Sequence, residues 1–314
     1  MIVFGPIPSR RLGRSLGINN IPPKECSYSC IYCQIGLTDT MSIKRKQYYS
    51  TYRIFKEVSE KVKTLHSDGE KIDYISFVPD GEPTLDINLG KEISLLKPLG
   101  IKIAVITNSS LLNYENVRAD LLQADWVSIK IDTVDEKIWH QLNRPYGKLD
   151  LQKILLGVEA FAKKFKGVLV TETMLVKGLN DNIESIKATA EFIKKINPDT
   201  AYILVPTRPP AEEFVKPPSE ENLNIAYQVF SSRISNVELL AGKEGIDFSY
   251  SSDVEKELLS ILAVHPMQLE AVEKFLYKAK SDWTLIDTLI HKNILKEVKY
   301  SGHKFLVRNL KNDI

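Results

Sequence analysis

Cysteine is scarce in this 314-residue chain: three residues, all inside "CSYSCIYC" at positions 26–33. An odd number of thiols this close together excludes a disulfide framework. Histidine is also scarce. His66, His140, His265, His291 and His303 are scattered, and no second cysteine pair exists, so the two-pair pattern of a structural zinc site is missing. Long apolar runs are lacking: no stretch of about 18 apolar residues predicts a membrane span. No charge dominates either, with a formal net charge of +2, and no overall polyanion partner is implied. Internal repeats and low-complexity tracts are missing. The start, "MIVFGPIPSRRLGRSLG", places its arginines after its apolar residues. That order is wrong for a secretory signal, so a cytoplasmic location is expected.

What is present is an ordinary globular composition, 43% hydrophobic and 26% charged, long enough for one large domain and a small one. Apolar runs rich in Val and Ile alternate with segments of helical period. The helical pattern at 50–65 precedes a strand at 72–79. "KEISLLKPL", "YENVRADLLQ", "LDLQKILLGVEAFAKKF" and "NIESIKATAEFIKKI" read as helices. "IKIAVIT", "DWVSIKID", "GVLVTETMLV" and "AYILVP" read as strands between them. This alternation predicts a parallel α/β sheet, with ligands at the C-terminal ends of its strands.

In a chain without a secretory signal, clustered cysteines point to metal. Three thiolates with one open position suit a [4Fe–4S] cube, whose fourth iron is left for a substrate or cofactor. C-x3-C-x2-C with Tyr32 before Cys33 resembles the signature of the radical S-adenosylmethionine superfamily. The resemblance implies that Cys26, Cys30 and Cys33 ligate three irons and that S-adenosylmethionine chelates the fourth. It implies a partial (β/α)6 TIM-like barrel. It also implies electron transfer from a flavodoxin- or ferredoxin-type donor, cleavage of S-adenosylmethionine to a 5′-deoxyadenosyl radical, and abstraction of a hydrogen atom from a substrate.

Further residues follow from the same resemblance. Gly81-Glu82 resembles half of the family's Gly-Gly-Glu motif, whose backbone meets the methionine amino group; Asp80 stands where the first glycine would be. An ordinary "DGEP" turn is the alternative. Asn108 ends a strand at a position the family uses near the methionine or ribose. Ser128, Lys130 and Asp132 share one strand face by the period of two. Lys130 and Asp132 face either the cofactor or each other as an ion pair. Glu172 faces inward or outward. The segment around Val176 corresponds to the loop along the adenine.

The stretches "GPIPSRRLGRSLGINNIPPKECSYSCIYCQIG", "DGEPTLD", "LNRPYG" and "VPTRPPAE" resemble a branch related to the wyosine-type tRNA-modification enzymes. Residues 1–25 hold none of the cysteines of that branch's second cluster, so its pyruvate-dependent chemistry is not carried over. The substrate is left open, with RNA one class. "KRKQYYSTYR" offers either a polyanion surface with stacking tyrosines or a solvated helix entry. A proline-rich connector at 205–219 ends the barrel, assigned to residues 1–245. Residues 250–314 read as three helices and a hairpin, in the order of a winged helix. Asp282 and Asp287 in its third helix disfavour a DNA reader and favour a protein-docking module. The alternatives to an enzyme with its own substrate are an iron–sulfur sensor acting through the winged helix and an activase of a partner enzyme.

Overall fold

The computed structural model describes residues 2–240 and 253–309. The chain opens with an antiparallel hairpin, Val3–Ser9 (β1) and Gly13–Ile18 (β2). Ser9 Oγ closes the turn by accepting from the N–H groups of Arg11 (3.3 Å) and Leu12 (3.2 Å). From β2 onward the strands run parallel: Tyr74–Phe77 (β3), Lys102–Thr107 (β4), Trp126–Lys130 (β5), Val168–Met174 (β6), Thr200–Leu204 (β7) and Val237–Leu240 (β8). The eight strands lie in chain order in one sheet.

Helices connect them: Thr51–Ser67 (α1), Leu89–Leu96 (α2), Glu115–Leu121 (α3), Glu136–Asn143 (α4), Leu151–Ala162 (α5), Ile183–Ile196 (α6) and Glu220–Ser231 (α7). Local chemistry starts each of the longer ones. Ser50, Asp135, Asp150, Asn182 and Ser219 each cap a helix by accepting from a first-turn N–H. α1 buries Ile54, Val58, Val62 and Leu65, one stripe of a 3.6-residue period. Such stripes and the outer sheet face form the main core. Inside the sheet, Leu12, Ala104, Trp126, Val170, Tyr202 and Leu240 make a smaller cluster. That cluster joins residues from the β1–β2 turn to the far edge strand, so the sheet curls into an open TIM-like barrel.

Units β2 to β7, each followed by helix, give the expected (β/α)6 repeat. The hairpin strands β1 and β2 and the last strand β8 are not among the strands that periodicity shows. Pro6 and Pro8 argue against a strand in "VFGPIPS", yet β1 lies at the sheet's edge, where a missing N–H is tolerated. In β8, Glu238 and Leu239 are both exposed, so no alternation is visible.

The C-terminal residues form Val254–Val264 (α8), Met267–Gln268 (β9), Leu269–Lys278 (α9), Thr284–His291 (α10), Leu295–Tyr300 (β10) and His303–Arg308 (β11). The three strands pair antiparallel in the order β9-β11-β10. Ser301 and Gly302 both have positive φ, 47° and 78°, as the two-residue hairpin between β10 and β11 requires. This unit covers the barrel's open edge. α8 packs on β1, and Ile7 joins the unit's apolar cluster. Lys61 Nζ pairs with Glu257 at 2.8 Å, and Tyr300 donates its O–H to the carbonyl of Pro206 at 3.1 Å. The boundary drawn from sequence between 245 and 250 lies outside the described residues.

Gly157 in α5 sets how closely that helix meets the β4–α3 loop. A Cβ there would lie 2.2 Å from the carbonyl oxygen of Leu112 and 2.6 Å from the nitrogen of Asn113, both backbone atoms. Alanine gains at most about 1 kcal/mol of helix propensity, against about 1–3 kcal/mol for overpacking. Gly157→Ala is therefore expected to lower the urea midpoint of unfolding. An unchanged or higher midpoint would show that this contact does not set the packing.

Candidate functional site

The C-terminal ends of the parallel strands surround one cavity of about 320 Å³. Cys26, Cys30 and Cys33 line it, with the β3 exit at Asp80, Gly81 and Glu82. Asn108 after β4, Lys130 in β5, Glu172 in β6 and Arg208 after β7 complete the wall. The sequence-chosen residues Tyr32, Gly81, Glu82, Asn108 and Lys130 thus meet in one place with the three cysteines. Asp132 and Val176 do not line it.

Backbone hydrogen bonds hold the cysteine loop on two sides. At the β3 exit, the Lys24 N–H donates to the Asp80 carbonyl (2.6 Å), and the Glu82 N–H to that of Glu25 (3.2 Å). On the other side, the Ser29 N–H donates to the Asn143 carbonyl (3.0 Å) and the Ile31 N–H to Leu142 (2.9 Å), while the Tyr146 N–H donates to Ser27 (2.9 Å). "LNRPYG" at 142–147 is therefore the shelf on which the loop lies. The connector closes over it: the Glu212 N–H donates to the carbonyl of Ile31 (3.0 Å), and Val215 packs with Ile31, Tyr32 and Val176.

Gly81 is needed for this approach. A Cβ at residue 81 would lie 2.0 Å from the carbonyl oxygen of Glu25. Glu82 is buried and accepts four hydrogen bonds. Its Oε1 takes the Thr84 N–H (3.0 Å), the Thr84 hydroxyl (2.5 Å) and the Thr107 hydroxyl (2.7 Å). Its Oε2 takes the Asn108 N–H (2.7 Å). Burial raises its carboxyl above the ordinary value, although these bonds pull the other way. Glu82 thus ties the end of β3 to the end of β4.

The donor set fits an iron–sulfur cluster. Burial pushes all three thiols up, Cys30 to about 12. Asn108 Nδ2 points at Cys26 Sγ (3.5 Å) and Asn143 Nδ2 at Cys30 Sγ (3.4 Å), N–H donors that favour thiolate and steer a cluster's potential. The rest of the cavity fits a ligand carrying an ammonium group. Asp80 is buried, and neither of its carboxylate oxygens has a hydrogen-bond partner among the described residues. Burial raises its pKa to about 7, with Arg308 and Lys24 pulling it down.

Asp132 has other partners. Its Oδ2 accepts from the Tyr32 hydroxyl and from Asn143 Nδ2 (2.8 Å), its Oδ1 from the Met174 N–H (2.8 Å). Lys130 Nζ stands 3.7 Å away and sits 5.1 Å from the centre of the Tyr32 ring. Lys130 thus stands within ion-pair distance of Asp132 while also lining the cavity. Val176 is buried in the connector's apolar cluster, its N–H bound to Asn180 Oδ1 at 2.8 Å. Glu172 faces inward, pairs with Arg11 and accepts from Ser128 Oγ at 2.7 Å. Burial alone would raise its carboxyl, but Arg11, Lys130 and Ser128 together hold it below the ordinary value. Sequence reasoning gave no role to Asn143 or Arg208. The only signal for either was its place inside a quoted stretch of resemblance.

Residues 20–193 match the family described as the Radical SAM superfamily. The chain is 47% identical over 313 residues to the UPF0026 protein MJ1312 of Methanocaldococcus jannaschii, a match covering 99% of this chain and 97% of that one. It is 37% identical over 199 residues to a UPF0026 protein of Helicobacter pylori, covering 62% of this chain and 63% of the other. A solved radical SAM methyltransferase from Sphaerobacter thermophilus shares the fold, with a TM-score of 0.54 at 14% identity over 73% of this chain and 67% of that one. Members of the superfamily use a [4Fe–4S] cluster and S-adenosylmethionine, the two groups for which this cavity has fitting donors. With a family match over more than half its length and a relative aligned from end to end, the chain belongs to the radical SAM superfamily, among its UPF0026 proteins.

Proposed function

We propose that the protein is a radical S-adenosylmethionine enzyme in which Cys26, Cys30 and Cys33 carry the cluster and the strand-end cavity binds S-adenosylmethionine. The observation that supports this most is the convergence on one cavity of three thiols, the Gly81 close approach and Asp80, whose carboxylate has no hydrogen-bond partner among the described residues. When bound, the cluster supplies one-electron reductive cleavage of S-adenosylmethionine, with a hydrogen atom then taken from the substrate. The chain's own residues bind and orient. Asp80 takes the ammonium of the methionine moiety, a role added to that of the Gly81-Glu82 backbone. Asn108 and Lys130 face the rest of the cofactor, and Asn143 and Tyr32 hold the cysteine loop against Asp132. The connector covers the cysteine loop and shields that side of the cavity from water. A reductant of flavodoxin or ferredoxin type serves the cluster.

The resemblance to the wyosine-related branch makes tRNA the first substrate class to test. "KRKQYYSTYR" adds little to that case. Arg45 pairs with Asp120 and donates to the carbonyls of Thr84 (2.9 Å) and Asp86 (2.9 Å), and Lys46 pairs with Glu25 at 2.7 Å. Both cations are tied within the fold. We read the C-terminal unit as a winged-helix module that docks on protein, since its face toward α1 and β1 is already such a contact. A sensor would have no use for this cavity.

Two outcomes test the reading. Anaerobically reconstituted protein is expected to hold about four irons per chain. Cys26→Ala, Cys30→Ala and Cys33→Ala are each expected to lower the iron content and abolish cleavage of S-adenosylmethionine. Cleavage by a variant lacking all three cysteines would end the proposal.

The second concerns Asp80. A charged contact contributes about 1.5–3 kcal/mol, so Asp80→Asn is expected to weaken S-adenosylmethionine binding roughly ten- to a hundredfold. Burial raises the folded pKa of Asp80 to about 7, above the ordinary carboxylate range. Stability in the cluster-free protein is thus fully present below about pH 4 and lost as pH rises through about 7. Denaturant unfolding should show wild type falling relative to Asp80→Asn over that window. Parallel pH profiles would place the Asp80 carboxylate in water rather than in the wall.

A further inference from the structure

Cys33 is held differently from the other two thiols. Cys26 follows Glu25, whose carbonyl takes the Glu82 N–H, and its own carbonyl accepts from the Ser42 N–H at 3.0 Å. Cys30 lies between Ser29 and Ile31, both bonded to the shelf at 142–144. Around Cys33 the backbone bonds turn back into the loop. Its N–H donates to the Cys30 carbonyl (3.1 Å), and its carbonyl accepts from the Gly36 N–H (3.2 Å).

A side chain ties this stretch to the barrel. Gln34, next to Cys33, accepts at Oε1 from Nη1 of Arg208. Arg208 follows β7, and its other branch is held from behind: Nη2 lies 3.1 Å from Nε2 of His265 in the C-terminal unit. A guanidinium has only donors, so Nε2 accepts, and the imidazole is neutral with its proton on Nδ1. Burial, then the Arg208 charge, pushes the His265 pKa well below its ordinary value and keeps that acceptor in place. His265 is itself fixed. Its N–H closes α8 on the carbonyl of Ile261 (2.8 Å), its backbone is extended, and Pro266 follows. The bond from Tyr300 to the Pro206 carbonyl, two residues before Arg208, is a second grip of the same unit on the chain leaving β7. Gln34, Arg208 and His265 all line a space of about 150 Å³ beside the cysteine cavity.

We propose that His265 and Arg208 are positioning residues for the cluster: the C-terminal unit, through His265, holds Arg208 so that its fork fixes Gln34 and with it Cys33. The proposal rests on the radical S-adenosylmethionine reading for Cys33 as a cluster ligand and adds what places that ligand. It makes the C-terminal unit part of the cluster site. Without His265, one branch of the fork loses its acceptor, and the long arginine side chain regains rotamer freedom at the expense of Gln34.

The test reads the thiols one by one. Full-chain, cluster-free protein is treated anaerobically with iodoacetamide, and fragment masses give the alkylation rates at Cys26, Cys30 and Cys33 separately. His265→Ala is expected to raise the rate at Cys33 about tenfold, as loss of a charged hydrogen bond allows, and to leave Cys26 within about twofold. His265→Gln, whose side-chain carbonyl still accepts from Arg208, is expected to restore most of the protection. Lys61→Gln breaks another contact of the same unit, at Glu257, and is expected to leave all three rates unchanged. Equal rises at all three thiols in His265→Ala would mean general loosening, and an unchanged Cys33 would mean no tie; either result overturns the proposal. If His265→Ala does not fold, Gln34→Ala removes the last link alone and decides by the same pattern. In cluster-loaded protein these variants are expected to lose iron to a chelator about tenfold faster than wild type. A wild type that takes up no four-iron cluster would strike the enzymatic reading, while the alkylation pattern still judges His265 and Arg208.

Discussion

A single buried carboxylate holds the rim of this barrel together. Glu82 accepts from two groups of Thr84, from the Thr107 hydroxyl and from the Asn108 N–H, while its own N–H reaches the carbonyl of Glu25 beside Cys26. The end of β3, the end of β4 and the cysteine loop are thereby fixed to one another. A buried carboxylate with this many donors is stable only while all of them stay in place. Asn108 depends on it in turn: with its N–H held by Glu82, its amide points at Cys26. Gly81 allows the approach and Glu82 fixes it.

The opposite side of the loop rests on backbone bonds to 142–146 and on the group formed by Tyr32, Asp132 and Asn143. Two anchors from distant parts of the chain thus set the positions of three thiols. Between them the cavity's charges are unequally satisfied. Glu82 and Asp132 are fully engaged in the frame. Asp80 lines the cavity, and neither of its buried carboxylate oxygens has a hydrogen-bond partner among the described residues. Its partners thus distinguish it from the carboxylates that frame the site.

Much of this was legible in the sequence, for physical reasons. Strands β3 to β7 and the helices between them follow from the alternation of period two and period 3.6, which burial on both sheet faces imposes. The cysteine spacing pointed to the cluster because three neighbouring thiols leave one iron of a [4Fe–4S] cube open and resemble the superfamily's signature. Glu82, Asn108 and Lys130 were found because strand ends in such a barrel converge. Asp132 was harder. A carboxylate two residues past a strand end can turn either way, and the hydroxyl of Tyr32 and the amide of Asn143, 100 and 11 residues away in the chain, decide it. Strand β1 was hidden by prolines that an edge tolerates. That Arg10 and Arg208 line one cavity could not be read at all, because only the closure of the barrel brings their elements together.

The central claim is that the cysteine loop and the strand-end cavity present cluster and S-adenosylmethionine to each other. Electron–nuclear double resonance on the reduced protein, with S-adenosylmethionine labelled at its amino nitrogen and carboxylate oxygen, tests it most directly. The expected result is hyperfine coupling of both labelled nuclei to the cluster, as chelation of an iron requires. A reduced, fully loaded cluster whose spectrum shows no coupling to either label would contradict the account.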